Sequence, residues 1–429
     1  MKHSLSRITV LTLALVAALL PGCIAPTPCP DPPTNAALTP TVDSQWLTTL
    51  LESSPPLAAV AANAEKYRLQ LLVSEVVETD DGPILRRTGF RVDAEYFYPA
   101  STIKLFAALG ALQWLEEEST PPQITLDTPM RIFPLFNDET LDEADSSNLA
   151  GETITIGHEI RKLGIVSDNT AFNRLFELLG PDDLHDRLAR AGFPDVIIRH
   201  RLSEFRSLEE NLRSPKIEFF RGDDVLLTLP ERRAENERPL PDHSGLHVGR
   251  SYLRSSRRTD SAMNFTYKNL CRLLDLQNAL IATVRPDIEI ESDEGTPIRF
   301  DLDDNHRAHL VRALTEWPRV SENPRYDPEK YPDDWVKFLL PGLTQVVPQA
   351  ELSVMNKVGL AYGFTIENAY VYDRGTGRSF FLTGALYTNE NATLNDGVYE
   401  YDTVAFPFWA ALGEGLARTL LRPEQPRAD

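Results

Sequence analysis

Cysteine is scarce in this sequence: its 429 residues include three, Cys23, Cys29 and Cys271. So few cysteines cannot build the disulfide framework on which small secreted folds depend. The stability of the folded chain must therefore come from core packing. A chain of this length, with 42% hydrophobic residues, can bury a sizeable core.

Positive charge is also in short supply, because 43 Lys and Arg face 63 Asp and Glu and give a formal net charge of -20. Such a surface repels phosphate backbones and anionic lipid, which argues against nucleic acid as a partner. Metal-binding residues are sparse too. His306 and His309 have a helical, metal-like spacing, but two histidines without a third ligand do not predict a metal site. We expect neither a metal nor another cofactor.

The first residues have the character of an export signal. Lys2 and Arg7 precede an almost wholly apolar run over residues 8–20, which is too short to span a bilayer comfortably. The run ends in Leu20-Pro21-Gly22-Cys23, which resembles the lipobox of bacterial lipoproteins. That resemblance implies a signal peptide over 1–22.

By the same resemblance, Cys23 becomes the acylated first residue of an exported protein, and several acyl chains on one residue anchor it stably in the cell envelope. Ile24 after the cysteine favours the outer membrane, on the periplasmic side, if the host has one. Ordinary signal cleavage and an uncleaved anchor remain the alternatives. The Pro-rich residues 23–42 predict an extended tether.

The remaining residues, 43–424, predict one domain. Apolar residues after Pro99 fall on one face of a buried helix that opens almost at Ser101. The β-rich runs are 69–73 and 84–92 near the start, and 369–372 and 380–387 near the end. Strands at both ends with helices between them describe an α/β sandwich in which one antiparallel sheet gathers both ends of the chain, beside a helical subdomain.

Three short motifs carry the predicted chemistry. In Ser101-Thr102-Ile103-Lys104 a lysine one helical turn from a serine can take its proton, and the helix start supplies backbone N–H groups for an oxyanion. Ser167-Asp168-Asn169 offers a hydroxyl relay and an amide that can bind a substrate carbonyl. Lys357-Val358-Gly359, on a predicted strand, offers a charge for a substrate carboxylate and a close backbone approach. Each motif alone also fits a helix cap or an edge strand.

Taken together and in this order, the motifs and their flanks resemble the class A β-lactamases and the related penicillin-binding proteins. The resemblance implies that Ser101 is the acylated nucleophile and Lys104 its base or proton relay. Ser167 would pass a proton to the leaving group, Asn169 would orient the substrate amide, and Lys357 would neutralise a substrate carboxylate. It places the oxyanion hole at the backbone N–H groups of Ser101 and of Leu360, the residue after Gly359.

Two departures from the family pattern stand out. Val358 replaces a threonine, which removes a hydroxyl that would bind the substrate carboxylate, a loss of roughly 1.5–3 kcal/mol. Residues 200–262 stand as an atypical insertion where the family has an Ω-shaped loop with a deacylating glutamate. Glu204 and Glu209 are the nearest candidates, and each is expected to be a solvated surface carboxylate. Lys216 to Arg221 and Val225 to Leu229 predict a hairpin in this segment.

The leading hypothesis is a monomeric hydrolase that opens β-lactam amides through an acyl-enzyme on Ser101. A D,D-peptidase or esterase with slow deacylation, acting on a peptidoglycan-like acyl substrate, is the first alternative. The second is an envelope-anchored binding module with little turnover, which uses the hairpin as its contact surface.

Overall fold

A computed structural model of the protein describes residues 41–42, 45–117, 121, 123–236, 238–240 and 243–423. The expected signal peptide, Cys23 and nearly all of the expected tether lie outside these residues. Among the helices within the described ranges, none is long and apolar enough to cross a membrane.

The described residues form eleven α-helices and seventeen strands of two to ten residues. In chain order, the helices are α1 Gln45–Glu52, α2 Pro55–Ala61, α3 Lys104–Glu116, α4 Ile156–Ile165, α5 Asn169–Leu179, α6 Pro181–Arg190, α7 Leu208–Asn211, α8 Leu273–Val284, α9 Asp304–Thr315, α10 Leu340–Leu343 and α11 Phe406–Leu416. The strands are β1 Thr41–Val42, β2 Gln70–Thr79, β3 Gly82–Phe90, β4 Met130–Ile132, β5 Arg213–Ser214, β6 Ile217–Arg221, β7 Asp224–Leu229, β8 Arg232–Arg233, β9 His247–Val248, β10 Ser251–Arg254, β11 Arg257–Thr259, β12 Met263–Asn264, β13 Leu352–Asn356, β14 Gly359–Ala361, β15 Phe364–Asp373, β16 Ser379–Tyr387 and β17 Thr393–Leu394.

Seven of these strands form the main sheet, in the order β1-β3-β2-β16-β15-β13, with β14 also paired to β15. All neighbours are antiparallel except β1, which runs parallel to β3. The pairing of β16 with β2 joins the two ends of the chain at the centre of the sheet. The predicted α/β sandwich, with one sheet gathered from both chain ends, is therefore confirmed.

The sheet is apolar on both faces, which is why helices cover both. Along β15, Ile366 and Tyr370 pack into a core with α3, α5 and α8, whereas Ala369 and Val371 point to the opposite core with α1, α2 and α11. This alternation follows from the period of two along a strand. The first core also holds the helical subdomain that carries two of the three motifs.

The start of one helix differs slightly from the prediction. Ser101 lies in a single 3-10 turn, Ala100–Ile103, and the α-helix begins at Lys104. Gly180, with φ +73°, ends α5 and at the same time begins α6, because Pro181 suits the first turn of a new helix. Helix α11 covers Phe406–Leu416, and π-turns flank it at Tyr401–Ala405 and Ala417–Leu421.

The segment over 200–262 contains the predicted hairpin as β6 and β7. The hairpin is not a free appendage, because β6 also pairs with β4 and buries Ile217 and Phe219 in the main core. Val225 on the outer strand remains half exposed.

Candidate active site

Ser101 lies beside β14 at an edge of the main sheet, in the 3-10 turn that precedes α3. Ala100 before it has φ +48°, an unusual conformation for a residue with a side chain, and Thr102 donates its hydroxyl to the Pro99 carbonyl at 2.6 Å. Gly359 of β14 packs against this turn, and a Cβ there would lie 2.5 Å from the Pro99 oxygen. The glycine thus allows the backbone of β14 to lie directly beside Ser101.

Lys104 begins α3 and is fully buried. Its Nζ lies 2.6 Å from the Ser167 carbonyl oxygen, 2.7 Å from Asn169 Oδ1 and 3.3 Å from Ser167 Oγ. Burial, with the nearby Lys357 charge, holds the pKa of Lys104 well below its ordinary value. Both effects favour the neutral form of this amine.

Ser167 lies in the short connection between α4 and α5, with φ +61°. Asp168 caps α5 by accepting the N–H of Ala171, which fixes the turn. Lys357 Nζ donates to Ser167 Oγ at 2.7 Å. Two lysines from distant parts of the chain thus converge on one serine.

Lys357 lies between two strands rather than on one, because β13 ends at Asn356 and β14 begins at Gly359. Its backbone N–H still donates to the Asn368 carbonyl of β15, and its Nζ also donates to the Val358 carbonyl. Burial lowers the pKa of Lys357 to about 7, with Glu367 opposing the shift.

A buried polar network lies beneath Lys357, and sequence reasoning missed it. Asn356 donates to Glu367 at 2.7 Å and to the Val336 carbonyl at 2.7 Å, while Lys337 Nζ donates to Asn356 Oδ1 at 2.8 Å. Burial raises the pKa of Glu367 to about 7. No sequence motif predicts this network, because its residues come from separate elements and meet only in the folded chain.

The segment after Arg201 turns back toward the site because Asn173 of α5 binds both backbone groups of Leu202, at 2.8 and 3.1 Å. The next residue, Ser203, accepts the Asn169 amide at 2.7 Å. Sequence reasoning did not single out Asn173 or Ser203.

The same turn corrects the expectation for Glu204. It is not a solvated surface carboxylate, because its side chain is 28% exposed and lines the site cleft. One oxygen accepts from Arg206 at 2.6 Å, and the other lies 3.3 Å from Asn173 Nδ2. Glu209 is exposed and paired with Arg233, as a surface carboxylate should be.

Two cavities meet at Ser101, and Asn169 and Leu360 line both. The first, the apolar lobe, has a volume of about 420 Å³ and is lined by Ser101, Val166, Ser167, Asn169, Pro332, Asp334, Trp335, Val336, Phe338, Pro341, Val358, Leu360 and Phe406. The second, the polar lobe, has a volume of about 710 Å³ and is lined by Tyr98, Ala100, Ser101, Asn169, His200, Arg201, Leu202, Ser203, Glu204, Phe205, Lys268, Leu360, Ala361, Tyr362, Asn395, Gly397, Tyr399 and Tyr401. An acyl substrate bound at Ser101 has room on both sides.

All of the sequence-predicted site residues within the described ranges therefore meet at one edge of the sheet. Lys104, Ser167, Asn169 and Lys357 are joined by hydrogen bonds, and Ser101 and Leu360 line the same cavities. Their chemical roles stay predictions. His306 and His309 have different neighbours, since His306 lies 2.6 Å from Glu116 and His309 contacts the Gly157 carbonyl.

A serine beside two buried lysines is compatible with the class of serine hydrolases. Comparison with known proteins agrees with this class. Residues 77–219 match the model of the family described as "Beta-lactamase enzyme family", and the matched segment includes Ser101, Lys104, Ser167 and Asn169. The match supports a relation to serine hydrolases of the β-lactamase type. No curated protein matches the chain.

Among solved structures, the chain is similar to several β-lactamases. One from Desulfarculus baarsii has 17% identity and a TM-score of 0.46, covering 88% of this chain and 98% of that one. One from Xanthomonas campestris has 15% identity and a TM-score of 0.46, covering 87% and 98%. One from Sphaerobacter thermophilus has 12% identity and a TM-score of 0.46, covering 90% and 100%.

Proposed function

We propose that the protein is a serine hydrolase of the class A β-lactamase type, which opens strained cyclic amides through an acyl-enzyme on Ser101. The observation that supports this most strongly is the convergence of Lys104 and Lys357 on Ser167, beside Ser101 at the meeting point of two cavities.

Acylation begins with proton transfer from Ser101 to Lys104. A neutral lysine has two N–H groups and one lone pair, and the Ser167 carbonyl and Asn169 Oδ1 accept the two N–H groups. The third Nζ contact, to Ser167 Oγ, is longer at 3.3 Å, and in the proposed step the lone pair takes the Ser101 proton. Ser101 Oγ then forms a bond to the amide carbon, and the backbone N–H groups of Ser101 and Leu360 stabilise the oxyanion.

The C–N bond breaks when the amide nitrogen receives a proton. Ser167 supplies that proton from its hydroxyl and is reprotonated by Lys104, which carries the proton taken from Ser101. Lys357 donates to the same oxygen and stabilises it while the proton is away. Water then attacks the ester, the acid leaves, and the Ser101 hydroxyl is restored.

Deacylation is the slower half of this cycle. Glu204 is the carboxylate of the polar lobe, and one of its oxygens is already engaged by Arg206 at 2.6 Å. This pairing favours the first alternative, a D,D-peptidase or esterase whose acyl-enzyme is long-lived. The variant Glu204→Gln tests whether Glu204 activates the deacylating water. If it does not, the deacylation rate of the variant equals that of wild type.

The cellular setting is proposed from the N-terminal sequence. The chain is exported, loses residues 1–22 and is held in the cell envelope by lipid on Cys23, as a monomer. Mass spectrometry of membrane-extracted protein tests this, since the mature N-terminus should be a triacylated or diacylated cysteine and Cys23→Ser should abolish it.

The function is tested with a chromogenic cephalosporin and with benzylpenicillin, on wild type and Ser101→Ala. We expect a burst of ring opening equal to about one equivalent of enzyme, followed by slow turnover. Ser101→Ala should show neither. Equal rates in the two proteins would refute the proposal.

A further inference from the structure

The two lobes that meet at Ser101 differ sharply in chemistry. The polar lobe carries Lys268 and the hydroxyl groups of four tyrosines, Tyr98, Tyr362, Tyr399 and Tyr401. The apolar lobe has hydrocarbon and aromatic walls. Of the residues the structure places around the apolar lobe, none is a lysine, arginine or histidine.

The walls of the apolar lobe come from three distant segments. Val336 and Phe338 are nearly fully buried, Trp335 is 48% exposed at the rim, and Phe406 closes the far side. Val358 takes the place where the motif calls for a hydroxyl, and it adds two methyl groups instead. The only charged side chain among these described lining residues is Asp334, which repels an anion.

The nearest cations are already engaged. Lys357 is 1% exposed and donates to Ser167 and to the Val358 carbonyl, while Lys104 is held by the Ser167 carbonyl and by Asn169. Neither lysine is among the described residues that line the apolar lobe.

The apolar wall is held in place rather than adaptable. Asn356 donates to the Val336 carbonyl, and the Phe338 N–H donates to Glu367 at 2.9 Å. Since both anchors are buried, the segment that carries Val336 and Phe338 cannot easily turn outward to admit a charged group.

We infer that the apolar lobe selects an acyl substrate whose substituent on the Val358 side is uncharged and hydrocarbon or aromatic, and that a carboxylate there weakens binding. The inference rests on the proposed function for the covalent step and concerns the specificity of the same site. The motif resemblance implies a substrate carboxylate beside Lys357. The inference places a neutral group there instead.

The test uses one matched pair of ligands: a chromogenic cephalosporin with its free carboxylate, and the methyl ester of the same compound. Binding of each to Ser101→Ala is measured by calorimetry, so that the preference is read without any covalent step. We expect the ester to bind at least about five-fold more tightly than the acid. Equal binding, or tighter binding of the acid, overturns the inference.

Two further variants locate the selectivity. Trp335→Arg, at the half-exposed rim, places a cation in the apolar lobe and should shift the ester-to-acid ratio toward the acid by about ten-fold. Phe205→Arg adds the same charge in the polar lobe, at a residue that is 80% exposed, and should leave the ratio within about two-fold of wild type. A ratio that responds equally to both variants contradicts the inference.

The covalent proposal can fail separately. If neither compound leaves an adduct on Ser101 of the wild-type protein, acyl transfer to these substrates is wrong. The binding ratio in Ser101→Ala still decides the specificity of the lobe.

Discussion

At the scale of single residues, Lys104 is the group on which the proposed chemistry depends most. Its side chain is wholly buried, its pKa is held well below its ordinary value by that burial, and its two closest contacts are both acceptors. The lowered pKa favours the neutral amine that the proposed base requires.

Replacing Lys104 by methionine keeps the length and apolar stem of the side chain but removes the base. We expect Lys104→Met to slow acylation of Ser101 by about 10²- to 10⁴-fold, the usual contribution of a general base. The measurement is the single-turnover rate of adduct formation, followed by mass spectrometry.

Lys66→Met is the matched control, since Lys66 is half exposed and pairs with Glu390 at the surface. It should acylate at the wild-type rate. A Lys104→Met protein that keeps a native melting curve and acylates within a few-fold of wild type would show that another group takes the serine proton.

At the scale of elements, Asn173 fastens the segment after Arg201 to α5. Its amide makes both backbone contacts to Leu202 and is buried. Asn173→Ala leaves these two groups without partners, so we expect a loss of about 1–3 kcal/mol in the free energy of unfolding. Urea denaturation measures it, with Asn63→Ala in the exposed turn after α2 as a control that should stay within about 0.5 kcal/mol of wild type. Equal small effects in both would mean that the segment is held elsewhere.

His185 makes α6 sensitive to acid. Its Nε2 accepts the Ile198 N–H at 3.0 Å and its Nδ1 faces the Pro181 carbonyl, so the folded state requires a neutral ring. Burial lowers the pKa of His185 to about 4. The unfolded chain therefore binds more protons than the folded chain between about pH 4 and 6.5, and stability is lost as the pH falls through this window.

His185→Gln replaces the imidazole by a neutral amide that can both accept and donate. The difference in unfolding free energy between wild type and variant should shrink by about 1–2 kcal/mol from about pH 7 to about pH 5. Urea titrations at the two values provide the measurement. A difference that is the same at both would mean that His185 does not contribute to the acid sensitivity.

Much of the architecture could be predicted from sequence, and the exceptions have physical reasons. The β-rich runs of β15 and β16 and the apolar run of α3 are local patterns, so the sequence predicts their elements. Lys357 was expected on a strand but lies between β13 and β14. Both short strands pair with β15, and the break between them depends on that pairing, which the residues around Lys357 do not reveal. Residues that meet only through tertiary contacts, such as Asn173 with Leu202, carry no local signal.

The cavities show the same limit. The candidate site residues belong to motifs whose spacing predicts them: Ser101, Lys104, Ser167, Asn169 and Lys357. The walls of the apolar lobe come from residues 332–341, Val358 and Phe406, which no motif joins. The candidate site residues could therefore be proposed from sequence, while the shape of the cavity beside them could not.

At the scale of the whole molecule, the net charge of -20 bears on which substrates approach the cleft. A negative field slows the association of an anionic substrate, and salt screens that repulsion. We expect the second-order acylation rate with a carboxylate-bearing cephalosporin to rise about two-fold or more between about 0.01 M and about 0.15 M salt. The rate with its methyl ester should stay constant. A fall in the rate for the acid would mean that the lysines of the site outweigh the net charge.

The most direct measurement of the central claim is the intact mass of the protein after brief exposure to the cephalosporin pair, followed by peptide mapping. The account predicts one adduct per chain, on the peptide that contains Ser101, long-lived enough to isolate and absent from Ser101→Ala. An adduct on another residue, or an unmodified Ser101 in a protein that still opens the ring, would contradict it.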